Sequence, residues 1–254
     1  MMKFGCCPSF NPKTFIAVIS LINILMFLVT LCWEGPQPGG DFLQPTIHTL
    51  EEFGCTDACK MQKNYQVWRF ITPMFLHGGF LHILFNTISL IMFGSWIEKT
   101  IGTKNIMIIY FIGGIGGNLF SVLINYNAIA FGASTGIAAL MGAYLAYIIV
   151  NWEAWDYEGS PRCMMCCFVG FLLFWNILAG NTSSLSGADM KVDNWGHLGG
   201  LIAGCFMSMG LIKAEGGRNG PWEKKVKNIG LIGLGVYLIG GLVIFYTAIK
   251  PRCF

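Results

Sequence analysis

Four side chains stand out because their chemistry is out of place: Ser134, His197, His82 and Asn86 all fall inside long apolar stretches of the chain. At membrane depth each such polar group must find a partner or a task. A serine hydroxyl becomes a nucleophile when a base takes its proton, and a neutral imidazole is the usual base. The tetrahedral intermediate that follows carries an oxyanion, which His82, the Asn86 amide and the Ser134 backbone N–H are suited to bind. Ser134 as nucleophile with His197 as base is therefore the chemistry on offer. Taken singly, each residue has an ordinary explanation. A lone serine in a membrane helix is usually a packing residue, and a lone histidine often only links two helices by a hydrogen bond. Their joint placement is what points to chemistry.

That placement follows from the elements around them. Of 254 residues, 11% are charged and 54% are hydrophobic, against roughly 25% charged in soluble domains. The chain reads as an all-α polytopic membrane protein. Stretches of about 20 apolar residues suffice to cross a bilayer as helices, and seven qualify: 14–33, 79–98, 105–125, 132–150, 163–180, 194–213 and 227–248. Counting Lys and Arg in alternate loops puts ten on the side of the N-terminus and six on the other, with the cluster at 213–227 carrying most of the bias. The expected orientation is N-terminus cytosolic and C-terminus outer or lumenal. Spans two, four and six then all start at the outer face. His82, Asn86, Ser134 and His197 would lie roughly 3–11 Å below the outer ends of their helices. His82 and Asn86, four apart, share one helical face. Small residues let membrane helices approach; Gly132 and Gly136 around Ser134, and Gly196, Gly200 and Gly204 around His197, would let spans four and six pack together.

Other chemistries find no support. No Asp falls within the apolar part of any span, which argues against an aspartyl protease, and no His-Glu-x-x-His argues for a zinc one. Neither inverted repeats nor charged midplane residues suggest a transporter, and a net charge of +3 without a basic stripe gives no reason to expect nucleic-acid binding. No metal or cofactor is expected. Cys163, Cys166 and Cys167 read as packing residues rather than zinc ligands. Cys55 and Cys59 stand four apart in the outer loop, so either a disulfide or two free thiols is open. Cys6 and Cys7 are candidates for palmitoylation, and Asn181 heads a glycosylation sequon. The expected organisation is a short cytosolic segment 1–13, a six-helix core 14–213 that includes outer loop 34–78, and a basic linker with a seventh helix over 214–254.

These residues resemble the rhomboid family of intramembrane serine proteases. Trp68-Arg69 looks like the family's loop motif, and His77 to Asn86 looks like its His-x4-His-x3-Asn signature. Gly94 with Glu98 resembles its Gly-x3-Glu element, and Gly132-Ala133-Ser134 its Gly-x-Ser motif. His197-Leu-Gly199-Gly200 with Gly204 resembles the motif of its sixth span. The resemblance covers about 68–210 and implies a rhomboid-like bundle of six core spans plus a seventh, as in eukaryotic members. It implies a Ser134–His197 dyad without an acid and an oxyanion site at His82 and Asn86. It also implies a structural His77 near the substrate entrance, and a scaffold held by Arg69 and Glu98.

By that resemblance the partners are the bilayer and single-pass membrane proteins, cut near the outer face with a small residue before the cut and no cofactor. Residues 181–193 would roof the site. Three positions depart from the family pattern. Thr135 stands where Gly usually follows the serine, Gly196 stands where Ala usually precedes the histidine, and Ala138 replaces a large side chain that packs on the base. The alternative reading is a catalytically silent, rhomboid-like binder of membrane clients. The absence of an Arg-rich, acid-poor leader favours the endomembrane system (Golgi-like) or the plasma membrane over mitochondria.

Overall fold

In the computed structural model the described residues are 13–152, 170, 192–214, 220–251 and 253. They form helix α1 (Phe15–Glu34), the short α2 (Ile47–Glu52) and α3 (Ala58–Lys63), and two 3₁₀ turns, Val67–Phe70 and Thr72–Phe75. Next come α4 (Phe80–Ser89), a π turn (Leu90–Gly94), α5 (Ser95–Ile101), α6 (Thr103–Ile124), α7 (Ser134–Val150), α8 (Asn194–Leu211) and α9 (Pro221–Thr247). Among the described residues there is no β-strand. The protein is a helical, multi-pass membrane bundle. Phe15–Glu34, Phe80–Ile101, Thr103–Ile124 and Pro221–Thr247 are each long and apolar enough to cross a bilayer. Apart from Gly170, the expected fifth span at 163–180, with its three cysteines, lies outside the described residues, as do Cys6, Cys7, Asn181 and most of the expected roof.

The second span is not one regular helix. The π turn at Leu90–Gly94 joins α4 to α5, and its glycine admits α1, because a Cβ on Gly94 would lie 2.3 Å from Ile16 Cδ1. One turn on, the Glu98 carboxylate accepts hydrogen bonds from Phe15 N (2.8 Å), Ile16 N (3.1 Å) and Thr103 Oγ1 (2.8 Å). Those two amides are orphan donors at the start of α1, where an anion is favoured. Glu98 thereby ties the end of the second span to the beginning of the first.

Helix α7 runs through the middle: 14 of its 17 residues are buried. It meets α8 backbone to backbone. A Cβ on Gly200 would lie 2.3 Å from Thr135 O, one on Gly204 2.3 Å from Ala139 O, and one on Gly142 2.2 Å from Leu201 O. This corrects half of the expected glycine pairing. The row on α8 is used as expected, but the α7 surface it meets is Thr135, Ala139 and Gly142. Gly136 turns to the ring of Tyr110, 2.5 Å from its prospective Cβ, and Gly132 precedes the helix. A turn of 3.6 residues sets 136 well around the helix from 135 and 139.

A disulfide joins Cys59 in the loop before the second span to Cys253 beyond α9, with Cα atoms 5.6 Å apart and the two residues 194 positions apart in sequence. Cys55 is a free, buried thiol. Neither of the two alternatives left open for Cys55 and Cys59, a mutual disulfide or two free thiols, is what the structure shows. Cys55 faces Leu50 and Leu76 in a small apolar cluster, whereas Cys59 lies on α3, which packs against Phe245 of α9. Gln62 reinforces the seam by donating to the Phe245 and Ile249 carbonyls.

Gly204→Leu is expected to abolish the cooperative thermal transition of the detergent-solubilised protein, since its side chain would have to enter the α7 backbone. Gly235→Ala, with open space around it, should leave the transition unchanged or raise it by up to about 1 kcal/mol. Cys253→Ser should cost on the order of 2–4 kcal/mol and remove the reductant-sensitive gel shift.

Candidate active site

Ser134 is the first residue of α7. Gly132, two residues earlier, has φ +132° and donates its N–H to Pro73 O at 2.8 Å. The helix thus starts two residues later than the apolar stretch. No side chain caps this start, and the first amides of a helix have no intrahelical acceptor. The serine stands where free N–H donors and the helix dipole favour negative charge.

His82 lies in the first turn of α4. Its Nδ1 accepts a hydrogen bond from Gly78 N at 3.2 Å, which leaves the ring proton of the neutral imidazole on Nε2. A Cβ on Gly132 would lie 2.8 Å from His82 Nε2 and 3.3 Å from Ser134 Oγ. The missing side chain at 132 lets an imidazole N–H and a hydroxyl flank the same point. Asn86, one turn along α4 and buried, donates from Nδ2 to His82 O at 2.9 Å and keeps a second amide N–H. The His77 ring stands edge-on to His82, with centroids 5.2 Å apart; burial holds its imidazole well below the ordinary histidine range, and so neutral.

His197 occupies the first turn of α8. Its turn is set against that of Ser134 by the contact of Gly200 with the Thr135 carbonyl. No hydrogen bond joins Ser134 Oγ to the His197 ring among the described residues, and Nδ1 of His197 is buried without a partner there. Resting serine–histidine pairs are often looser than those in a substrate complex.

A family model of the rhomboid domain matches residues 64–214. The chain belongs to the rhomboid family. It is 35% identical over 190 residues to "RHOMBOID-like protein 6, mitochondrial" of Arabidopsis thaliana, covering 74% of this chain and 57% of that protein. It is 30% identical over 203 residues to "Rhomboid-like protease 1" of Toxoplasma gondii, covering 80% and 65%. "Rhomboid-like protease 2" of the same organism is 28% identical over 249 residues, covering 97% and 82%. The chain thus spans less than two thirds of the first two relatives.

In this rhomboid the departures Thr135 and Gly196 face each other. A Cβ on Gly196 would lie 3.1 Å from Thr135 Cγ2, so the branched side chain on α7 uses room left by the glycine on α8. Ala138 faces Gly200, 3.4 Å from its prospective Cβ, and no ring stacks on His197 among the described residues. Arg69 is buried and holds the loop before α4 by donating to Gln66 Oε1 (2.6 Å), Cys55 O (2.7 Å) and Glu51 O (2.9 Å).

Sequence reasoning overlooked two features. The pairing of Cys59 with Cys253 carries no spacing signal. Asp193, which caps α8, stands just outside the apolar stretch 194–213, although its place four residues before His197 was legible. A third cluster, Glu34, His48 and Glu52, brings its ligand atoms within 4.8 Å of one another at the surface. There His48 Nδ1 already pairs with Glu34 (2.8 Å), and Trp33 donates to Glu52 (2.9 Å).

Burial pushes the Cys55 thiol up to about 12. Its thiolate is scarce at pH 8, so maleimide labelling followed at the peptide level should be slow there and gain from alkaline pH. Arg69→Ala, which releases the Cys55 carbonyl, should speed that labelling about tenfold by loosening the loop. An unchanged rate would show that the loop is held by other contacts.

Proposed function

We propose that the protein is an intramembrane serine endopeptidase that cuts transmembrane helices of single-pass membrane proteins near the outer face. The observation that carries this reading is the common point flanked by Ser134 Oγ and the protonated Nε2 of His82, at an uncapped helix start. Membership of a family with relatives named as proteases supports it.

In the proposed reaction Ser134 Oγ attacks the scissile carbonyl carbon while its proton passes to His197 Nε2. The oxyanion accepts hydrogen bonds from the Ser134 N–H, His82 Nε2–H and the Asn86 amide. The imidazolium then gives its proton to the leaving amine, and the acyl-enzyme forms. Water, deprotonated by His197, attacks the ester and frees the serine. A peptide bond inside a helix is shielded by its own hydrogen bonds, so the substrate segment must unwind locally. Helix-weakening Gly, Ser or Pro near the outer end of the substrate fits that need. Arg69 and Glu98 act on this reading as scaffold, holding the outer loop and α1.

The Cys59–Cys253 bridge supports an outer face that looks into an oxidising compartment, with the C-terminus on that side. A lumenal or extracellular outer face suits it.

The test is cleavage of a single-pass substrate by purified protein in liposomes. Ser134→Ala and His197→Ala should each lower kcat/KM at least about 1,000-fold. His82→Ala and Asn86→Ala should cost about 100-fold, mainly in kcat. Cleavage that survives Ser134→Ala would remove the nucleophile assignment. The open Ser134–His197 pair, with nothing stacked on the ring among the described residues, favours a second reading as a silent binder of membrane clients. Wild-type protein that retains such a client yet neither cuts it nor reacts with a fluorophosphonate would decide for it.

A further inference from the structure

The dyad leaves one shielded carboxylate oxygen without a task. Asp193 caps α8: its Oδ1 accepts Gly196 N at 3.0 Å, and its backbone carbonyl accepts His197 N at 3.1 Å. One oxygen satisfies the cap. The other, Oδ2, is shielded from solvent and has no hydrogen-bond partner among the described residues. Nδ1 of His197, one turn away, is in the same condition. Side chains on a helix lean toward its N-terminus, so the imidazole at 197 reaches back over the turn that Asp193 closes. An unpaired buried acceptor and an unpaired buried ring nitrogen are each costly alone, and each is what the other lacks.

Gly196 makes the arrangement possible. A Cβ there would lie 2.2 Å from Asp193 Oδ2 and 2.9 Å from its Cγ, so the carboxylate lies over the glycine's Cα, where alanine would exclude it. The elements packed around this turn bring no other anion among the described residues. Helix α6 offers Gly117 and α7 offers Thr135, and α4 brings the His82 imidazole to Gly132, beside Ser134. Helix α9 offers the Tyr237 phenol, whose proton is donated to Gly116 O at 2.9 Å. Ala138 provides no ring to hold the base in place.

We propose that Asp193 is a positioning residue for the Ser134–His197 pair, with Oδ2 accepting the Nδ1–H of His197 and Gly196 making room for it. The inference rests on the dyad reading above. When Ser134 Oγ gives its proton to His197 Nε2, the ring carries two N–H groups and a positive charge. Asp193 Oδ2 accepts from Nδ1–H and keeps Nε2 directed at the serine and then at the leaving amine. No proton passes to the carboxylate.

The experiment measures kcat and KM against pH for liposome-reconstituted wild type, Asp193→Asn, Gly196→Ala and Ser134→Ala. Fluorophosphonate labelling and melting temperature are followed in parallel. Asparagine caps helices as well as aspartate does, so Asp193→Asn should keep the melting temperature. It should lower kcat about 10- to 100-fold with little change in KM, and slow labelling of Ser134. The acidic limb of its profile should move to lower pH, because an imidazolium that has lost its anion gives up its proton more readily. Gly196→Ala should move kcat and the limb in the same direction. An unmoved limb in Asp193→Asn overturns the proposal, whether kcat is retained or falls together with the melting temperature, since Asp193 is then only a cap. Cleavage that persists in Ser134→Ala instead overturns the dyad on which the proposal rests.

Discussion

The contact between α7 and α8 is the constraint on which the other features of the core depend. In hydrocarbon there is no hydrophobic force to draw two helices together, so association relies on close packing and on polar groups that find each other. Here Gly200, Gly204 and Gly142 remove the side chains that would hold the two backbones apart, and carbonyls of each helix lie where a Cβ of the other would stand. That approach sets the first turn of the serine helix against the first turn of the histidine helix. It also explains why α7, short and almost wholly buried, serves as the axis about which the longer, lipid-exposed helices are arranged.

The remaining devices hold that axis at its two ends. Near the start of α1, Glu98 satisfies the orphan amides of that helix and binds Thr103 at the start of α6, so one carboxylate joins three elements. At the other end, Arg69 gathers the carbonyls of the loop before α4. Asn118 of α6 donates to Phe70 O at 2.9 Å, and the Cys59–Cys253 bridge fastens α9 to the same loop. His82 is then presented from a loop-to-helix junction that is anchored on several sides. For a group whose use depends on the direction of one N–H, that rigidity matters more than the affinity of any single contact.

The three departures from the family pattern belong together in the structure. Thr135 needs the space that Gly196 leaves, and the same glycine admits the Asp193 carboxylate. Ala138 leaves the imidazole unstacked. On the proposed reading, a base with no aromatic neighbour among the described residues and a carboxylate within its own first turn exchanges steric orientation for electrostatic orientation. This is a different solution to holding one ring in one pose.

Most of the helix positions could be read from the chain itself, because a bilayer demands about 20 apolar residues wherever it is crossed and the pattern is local. The candidate residues were legible for the same reason: a serine, two histidines and an asparagine are conspicuous where apolar side chains are the rule. What could not be read depends on rotation and on distance along the chain. Which side of α7 its glycines face depends on where the helix begins, and the Gly132 backbone, bonded to Pro73, delays that start to Ser134. The partner of Cys59 is 194 residues away, a pairing that no local spacing encodes. The place of the Asp193 carboxylate over Gly196 arises because a helix cap folds its side chain back over the first turn. Composition and periodicity determined which segments cross the membrane and which residue types they carry. Only tertiary packing decided which of those residues face one another, because in a bundle of close-packed helices that is a matter of register and rotation between segments far apart in sequence.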